Sequence, residues 1–230
     1  MSRIRANLEE IHNRIDAAAS KAGRDPERVR LVAVSKKVEV ELLREAQACG
    51  QRLFGENYLQ EAEAKIGELG PGFEWHFIGH LQSNKAAQAA GLFDLVETVD
   101  RLKVAAALDR SLAGSGRILP VLLQVNIGRE PQKSGVLPEE AEGLLKKLQE
   151  LPNLEVRGLM VMPPFLDEAE AVRPFFRSTR ELAAKLADQG LLPPTGEVEL
   201  SMGMSGDYQV AVEEGATLVR VGTALFGARN

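Results

Sequence analysis

The hydrophobic positions of this chain change period repeatedly, and each change predicts an element. Ile4, Leu8, Ile11, Ile15, Ala18 and Ala22 recur at spacings of three and four, which predicts an amphipathic first helix stopped at Gly23. Arg30 to Val34 is an apolar, β-branched run without alternation, and predicts a short buried strand. Glu39 to Ala48 is helical in composition and halts at Gly50, Arg52 to Phe54 reads as strand, and Asn57 to Ile66 as helix. Trp75 to Ile78 reads as strand, and Ser83 to Ala90 as helix. Leu95 and Val96 sit in a weak strand, and Asp100 can cap a helix running through Leu112. Leu119 to Val125 is a strong strand, and Pro138 opens the helix carrying Leu144, Leu145 and Leu148. Val156 to Met162 is strand. Glu168 to Ala187 is helical, with a break expected at the Arg173-Pro174 bond. Val198 to Leu200, a helix from Gly206 to Glu213, and a strand from Leu218 to Val221 complete the series.

Eight strands, each separated by helix, imply a parallel sheet. In one chain of 230 residues they imply a closed α/β barrel of the (β/α)8, TIM type, preceded by one extra N-terminal helix. An open doubly wound sheet is the alternative, disfavoured because no Gly-x-Gly-x-x-Gly follows the first strand. No linker or low-complexity stretch divides the chain, so residues 1–230 read as a single domain.

Composition narrows the function classes. Apolar residues make up 44% and charged residues 27%, ordinary for a soluble globular protein, and no stretch approaches the length of a membrane span. The net charge of -5, with no basic stripe or arm, gives no indication of nucleic acid as a partner. Met1 to Glu10 is charged and lacks the apolar run of a signal peptide, so a cytoplasmic protein is expected. The single Cys49 excludes an internal disulfide and a multi-cysteine metal site. Helices polar on their outer faces suit a monomer.

The chemistry of such a barrel belongs at the C-terminal ends of its strands. Polar residues and glycines gather there: Ser35-Lys36, Gly55-Glu56-Asn57, Gly79-His80, Asn126, Ser201-Met202-Gly203-Met204-Ser205 and Gly222-Thr223. The last two loops and a short final helix occupy the usual phosphate site of the fold, with Gly222, Thr223 and Ser201 as candidate ligands. Ser205 and Thr223 are also read as helix caps. Lys36 at a buried strand end is either half of an ion pair, with Glu56 as partner, or an amine that forms a Schiff base. Lys37 is expected to be solvated. Arg220 alternates with Val219 and Val221 and so shares the barrel interior with Gly222; its acceptor is a carboxylate such as Glu199, or a cofactor heteroatom. His76 faces either the core or the site.

Taken in order, Ala33-Val34-Ser35-Lys36, Phe54-Gly55-Glu56-Asn57, Trp75 through Lys85, Gly158-Leu159-Met160, Leu200 through Ser205, Val219 through Thr223 and Phe226-Gly227 closely resemble the pyridoxal phosphate homeostasis protein family. The resemblance runs from the first helix to Arg229. It implies a barrel like the N-terminal domain of alanine racemase, with pyridoxal 5′-phosphate held as a Schiff base on Lys36. By the same resemblance Arg220 faces the pyridine nitrogen, Ser201, Gly222 and Thr223 belong to the phosphate loops, and Asn57 lies beside the cofactor. His80 and Met202 are expected as wall residues. The family implies a non-enzymatic role in the homeostasis of vitamin B6 and amino acids, with apo pyridoxal phosphate enzymes as partners. Two other readings stand beside it. One is a pyridoxal-phosphate-dependent amino-acid racemase or decarboxylase using His80 or a water as second base. The other is a cofactor-free aldolase-like barrel. Tyr58 and Tyr208, the only tyrosines, are expected to serve packing.

Overall fold

The computed structural model of the protein describes residues 2–228; Arg229, where the resemblance ends, lies outside them. Eight parallel strands close into a barrel in sequential order: β1 (Arg30–Val34), β2 (Leu53–Glu56), β3 (Glu74–Phe77), β4 (Leu95–Val99), β5 (Leu119–Val125), β6 (Leu154–Val161), β7 (Glu199–Ser201) and β8 (Leu218–Val221). Closure comes from β1 against β8, with Val32 opposite Arg220 and Ala33 opposite Val221. The open doubly wound alternative is thereby excluded.

The first helix, α1 (Arg3–Lys21), precedes the barrel, and one helix follows each strand: α2 (Val40–Ala48), α3 (Leu59–Leu69), α4 (Ala86–Leu92), α5 (Leu102–Leu112), α6 (Ala141–Leu148), α7 (Ala169–Asp188), α8 (Tyr208–Glu213) and α9 (Thr223–Phe226). Ile4, Leu8, Ile11 and Ile15 of α1 are buried, as their spacing predicts. Each such side chain contributes about 1.5–3 kcal/mol when fully buried. The same face docks on α8 and α9, where Asn7 Nδ2 donates to the Leu225 carbonyl at 2.7 Å.

Two details differ from expectation. Arg101, not Asp100, occupies the N-cap position of α5, and Asp100 instead pairs with it. Pro174 does not divide α7, which runs unbroken for 20 residues. The proline removes one hydrogen bond. Val172, Phe176, Thr179, Ala183 and Leu186 nevertheless bury a single stripe through it, and Arg173 is held by Glu170, Glu213 and Glu214.

Strand residues divide by parity. Ala33, Phe54, Phe77, Val96, Val121, Val219 and Val221 join the large core between barrel and helices. Val32, Leu53, Leu95, Leu122, Met160 and Leu218 form a separate cluster inside the barrel. Extending the inward parity of β1, β3, β6 and β8 past their ends leads to Lys36, Ile78, Met162 and Gly222.

Candidate functional site

Those four residues line one cavity of about 400 Å³ at the C-terminal end of the barrel, a volume typical of small-molecule sites. Val34, Ile78, Met160 and Met162 give it apolar surface. Lys36, Asn57, Arg220, Thr223, Ser205 and Asp207 give it polar groups. A larger cleft of about 710 Å³ sits at the opposite end, walled by Arg24, Arg28, Arg30 and Arg180 with Glu197 and Glu199. Three of its arginines are spent on the protein itself: Arg24 on the Val212 and Ala216 carbonyls, Arg30 on Glu74, and Arg180 on Glu214. The upper cavity is the better candidate.

Lys36 is half-buried and occupies a tight turn directly after β1. Four contacts shape that turn. Ser35 N donates to the Gly55 carbonyl at 3.0 Å, Val38 N donates to the Ser35 carbonyl at 3.0 Å, and Lys65 Nζ donates to the same carbonyl at 2.6 Å. Lys37 N donates to Glu61, and Lys37 itself is exposed with a φ of 55°. A left-handed lysine costs roughly 1–2 kcal/mol, so the turn is maintained by its surroundings. The chief of these is a buried cluster. Lys65 Nζ reaches Glu56 Oε1 at 2.7 Å and Glu61 Oε1 at 2.6 Å, while Ser35 Oγ donates to Glu56 Oε1 at 2.7 Å. Burial raises the Glu56 carboxyl above its ordinary range, against the charge and hydrogen bond of Lys65. The Glu56 carboxylate, offered as an ion-pair partner to Lys36, thus bonds Lys65 and Ser35 through Oε1. Nothing in the helical pattern of Asn57 to Ile66 singles out Lys65 and Glu61 for this cluster.

Asn57 follows β2, and its side-chain Oδ1 is buried without a hydrogen-bond partner. Gly79 lets the loop after β3 pass this close, because a Cβ there would lie 2.1 Å from the Asn57 carbonyl oxygen. Arg220 is 4% exposed. Its Nη1 donates to Ser201 Oγ at 2.6 Å and its Nη2 to the Val161 carbonyl at 2.9 Å. The expected carboxylate partner, Glu199, is not among these contacts. The charges that act on Arg220 are Glu97 and Asp207, and they oppose the burial that lowers its guanidinium from the ordinary value.

The loop after β7 departs from expectation. Ser201 is fully buried and donates to Glu97, and Met202 is fully buried in the core between barrel and helices. Neither lines the cavity. The strand's last residue turns into the barrel and the next turns outward, so the cavity wall is made two residues later, by Met204, Ser205, Gly206 and Asp207. Gly203 makes this possible. Its φ is 89°, and a Cβ would lie 2.5 Å from that of Ala211. Ser205 Oγ accepts from Ala224 N at 3.3 Å and so bridges to α9 rather than capping its own helix. Asp207 is the N-cap residue of α8, and Gly222 that of α9; Thr223 is exposed toward the cavity as the first residue of α9. Burial raises the Asp207 carboxyl, opposed by its bond from Met204 N and the charge of Arg220.

Both histidines of the third strand region lie off the cavity. His76 is fully buried inside the barrel, and His80 is exposed with its Nδ1 3.2 Å from Ser134 Oγ. Tyr208 is buried in the core and Tyr58 is 55% exposed. Among the described residues, no group of three His, Cys, Asp or Glu side chains could hold a metal, and no helix is long and apolar enough to cross a membrane.

A parallel barrel with a lysine at the end of β1, an arginine on β8 and hydroxyls at the last two loops defines a class. The chain belongs to the family described as alanine racemase, N-terminal domain, whose model matches residues 6–230. Within that class it belongs with the pyridoxal phosphate homeostasis proteins. It is 48% identical over 231 residues to the one from Pseudomonas aeruginosa, covering 100% of this chain and 97% of that protein. It is 44% identical over 235 residues to the one from Escherichia coli K12, covering 100% and 98%. The structure of PipY from Synechococcus elongatus with PLP bound superposes with a TM-score of 0.81 at 42% identity, over 93% of this chain and 100% of that one.

Proposed function

We propose that this protein binds pyridoxal 5′-phosphate in the upper cavity, as a Schiff base on Lys36, and serves cofactor homeostasis rather than catalysis. One observation carries the reading. A primary amine, an orphaned buried Asn57 Oδ1, a buried guanidinium and the hydroxyl-bearing first residue of α9 converge on a single cavity of cofactor size. Relatives are named for pyridoxal phosphate homeostasis, and PipY holds PLP.

The cofactor supplies an aldehyde that a lysine amine traps, and a pyridine ring that withdraws electrons when its nitrogen is protonated. Lys36 would take the aldehyde. Thr223, Gly222 and Ser205, on adjoining loops, would take the phosphate. Arg220 stands in the wall as a cation, and like charge disfavours protonation of a ring nitrogen beside it. The electron sink is thereby weakened. The residues lining the cavity include no histidine or tyrosine to act as a second base; its carboxylates are Asp167 and Asp207, and Asp207 Oδ1 already accepts from Met204 N at 2.6 Å. These features support holding over turning over.

The test is spectroscopic. Adding pyridoxal 5′-phosphate should give the yellow band of a lysine Schiff base, and Lys36→Ala should abolish it. A band that survives unchanged in Lys36→Ala overturns the assignment. Faster cofactor transfer to an apo pyridoxal phosphate enzyme than release into solution would support delivery. Exchange of amino-acid α-hydrogens for deuterium at about 1 s⁻¹ or above would favour a racemase or decarboxylase instead.

A further inference from the structure

A chain of hydrogen bonds crosses the barrel from its N-terminal mouth to the cavity floor. Arg30, the first residue of β1, pairs with Glu74, the first residue of β3. Glu74 Oε1 lies 3.1 Å from His76 Nε2, and His76 Nδ1 lies 2.7 Å from Glu97 Oε1. Ser201 Oγ donates to Glu97 Oε2 and accepts from Arg220 Nη1. His76, Glu97 and Ser201 are fully buried.

The protons of this chain follow from its upper end. A guanidinium only donates, so Ser201 accepts from Arg220 and its single hydrogen is left for Glu97. Glu97 therefore accepts there, as a carboxylate does, and accepts again from His76. Glu74 and Glu97 are both held below the usual carboxylate range, so each ring nitrogen of His76 meets an ionised acceptor, both donate, and the ring is a cation. Electrostatics agree. Burial would lower His76, yet its bonds to Glu74 and Glu97 hold it up to about 9. Burial would raise Glu97, yet His76, Arg220 and Ser201 hold it below the usual carboxylate range. Glu199 also faces His76 from β7, with Arg157 and Arg30 nearby, and Asp207 faces Arg220.

Three buried charges in alternation are a costly way to fill a barrel, and apolar packing of equal volume is often as stable. The neighbouring interior positions Val32, Leu53, Leu95, Leu122, Met160 and Leu218 show that this barrel packs apolar side chains readily. The ionic chain is aimed at one group, Arg220, which is also the only member that lines the cavity.

We propose that His76, Glu97 and Ser201 are positioning residues for Arg220, so that the affinity and absorbance of the bound cofactor depend on side chains it never touches. This rests on the reading that Arg220 faces pyridoxal 5′-phosphate. Ser201→Ala, Glu97→Gln and Arg220→Lys, with each double variant, separate the two ideas. For each, the dissociation constant for pyridoxal 5′-phosphate, the position of the absorbance band and the melting temperature of the cofactor-free protein are measured. Ser201→Ala and Glu97→Gln should each weaken binding about tenfold to a hundredfold, the range of one charged hydrogen bond, and displace the band. Combined with Arg220→Lys, neither should add its full effect, because all act through one guanidinium. A lowered melting temperature with an unchanged dissociation constant and band would show a merely structural chain and overturn the proposal. If Arg220→Lys itself changes neither binding nor band, the placement of Arg220 against the cofactor fails, and the proposal with it. Should Glu97→Gln not fold, Ser201→Ala keeps every charge and decides alone.

Discussion

Two buried polar clusters flank the cavity and support its two basic residues in different ways. The first surrounds the turn of Lys36: Lys65 sits among the Ser35 carbonyl, Glu56 and Glu61, all within 2.6–2.7 Å. It is compact, joins residues no more than 30 positions apart, and concentrates its contacts on one ammonium. The second runs through the barrel from Glu74 to Arg220 as a line of single contacts contributed by four strands. In a compact cluster the loss of one member is felt locally. In a line it isolates everything beyond the break. The Lys36 side should therefore fail chiefly as a fold, and the Arg220 side as a binding site as well as a fold.

The largest effect expected of this difference is in the first cluster. Lys65→Met leaves the Glu56 carboxylate buried without its cation, and should destabilise the protein by about 3–5 kcal/mol in denaturant unfolding. Replacing both, as Lys65→Met with Glu56→Leu, should recover most of the loss, because the pair is removed together. If the double variant is no better than the single, Glu56 does more than balance Lys65.

The second cluster is best reached through pH. His76 is raised from 6.5 to about 9 in the folded protein. A group raised by folding gives stability that is complete below its unfolded value and is lost as pH rises through the folded one. Unfolding free energy should thus decline between pH 6.5 and about 9, by a few kcal/mol at roughly 1.4 kcal/mol per pK unit. His76→Gln should flatten that decline. Glu74, held down to about 2 first by His76 and also by Arg30 against its burial, gives the opposite limb, lost as pH falls from 4.5 through about 2.

Smaller still is Ser201→Ala, about 1–2 kcal/mol in melting experiments, since it removes one hydroxyl and leaves both charges. The smallest is Lys37→Gly. Relief of the left-handed φ is offset by the entropy of glycine, so stability should change by less than about 1 kcal/mol. A larger change would mean that the Lys37 side chain, not only its backbone, shapes the turn.

Much of this architecture is legible in the chain. Arg30 to Val34, Leu119 to Val125 and Leu218 to Val221 lie on the strands their composition predicts. Alternating them with helices leaves a parallel barrel as the economical closure. Lys36, Asn57, Arg220, Gly222 and Thr223 meet in one cavity because strand ends in this fold converge. Legibility ends where a single step of parity decides. Ser201 and Met202 stand at a strand end, and local pattern does not say which residue turns inward and where the loop resumes the wall. Glu97 interrupts an apolar strand and weakens the very signal that would place it. Its partner His76 comes from the paired neighbour β3, but Ser201 and Arg220, on β7 and β8, are brought to it only by closure of the barrel. Lys65 goes unmarked because nothing local announces the buried carboxylate beneath it. Pro174 reads as a helix breaker because its local cost is visible and the stripe spanning it is not.

The docking of α1 bears on the order in which the molecule is made. During synthesis its apolar face emerges early, when α2 is the first helix available to it. The surfaces formed by α8 and α9, and the Leu225 carbonyl that Asn7 reaches, do not exist until residues 208–226 have been translated. Barrel closure through β1 and β8 waits for the same segment. The contacts of α1 with α8 and α9 and of β1 with β8 have the longest sequence separations in the fold, and so carry the largest loop-closure cost. The nascent chain carries a finished Lys36 long before it has a pocket, and acquires Arg220 and Thr223 in the step that seats the first helix.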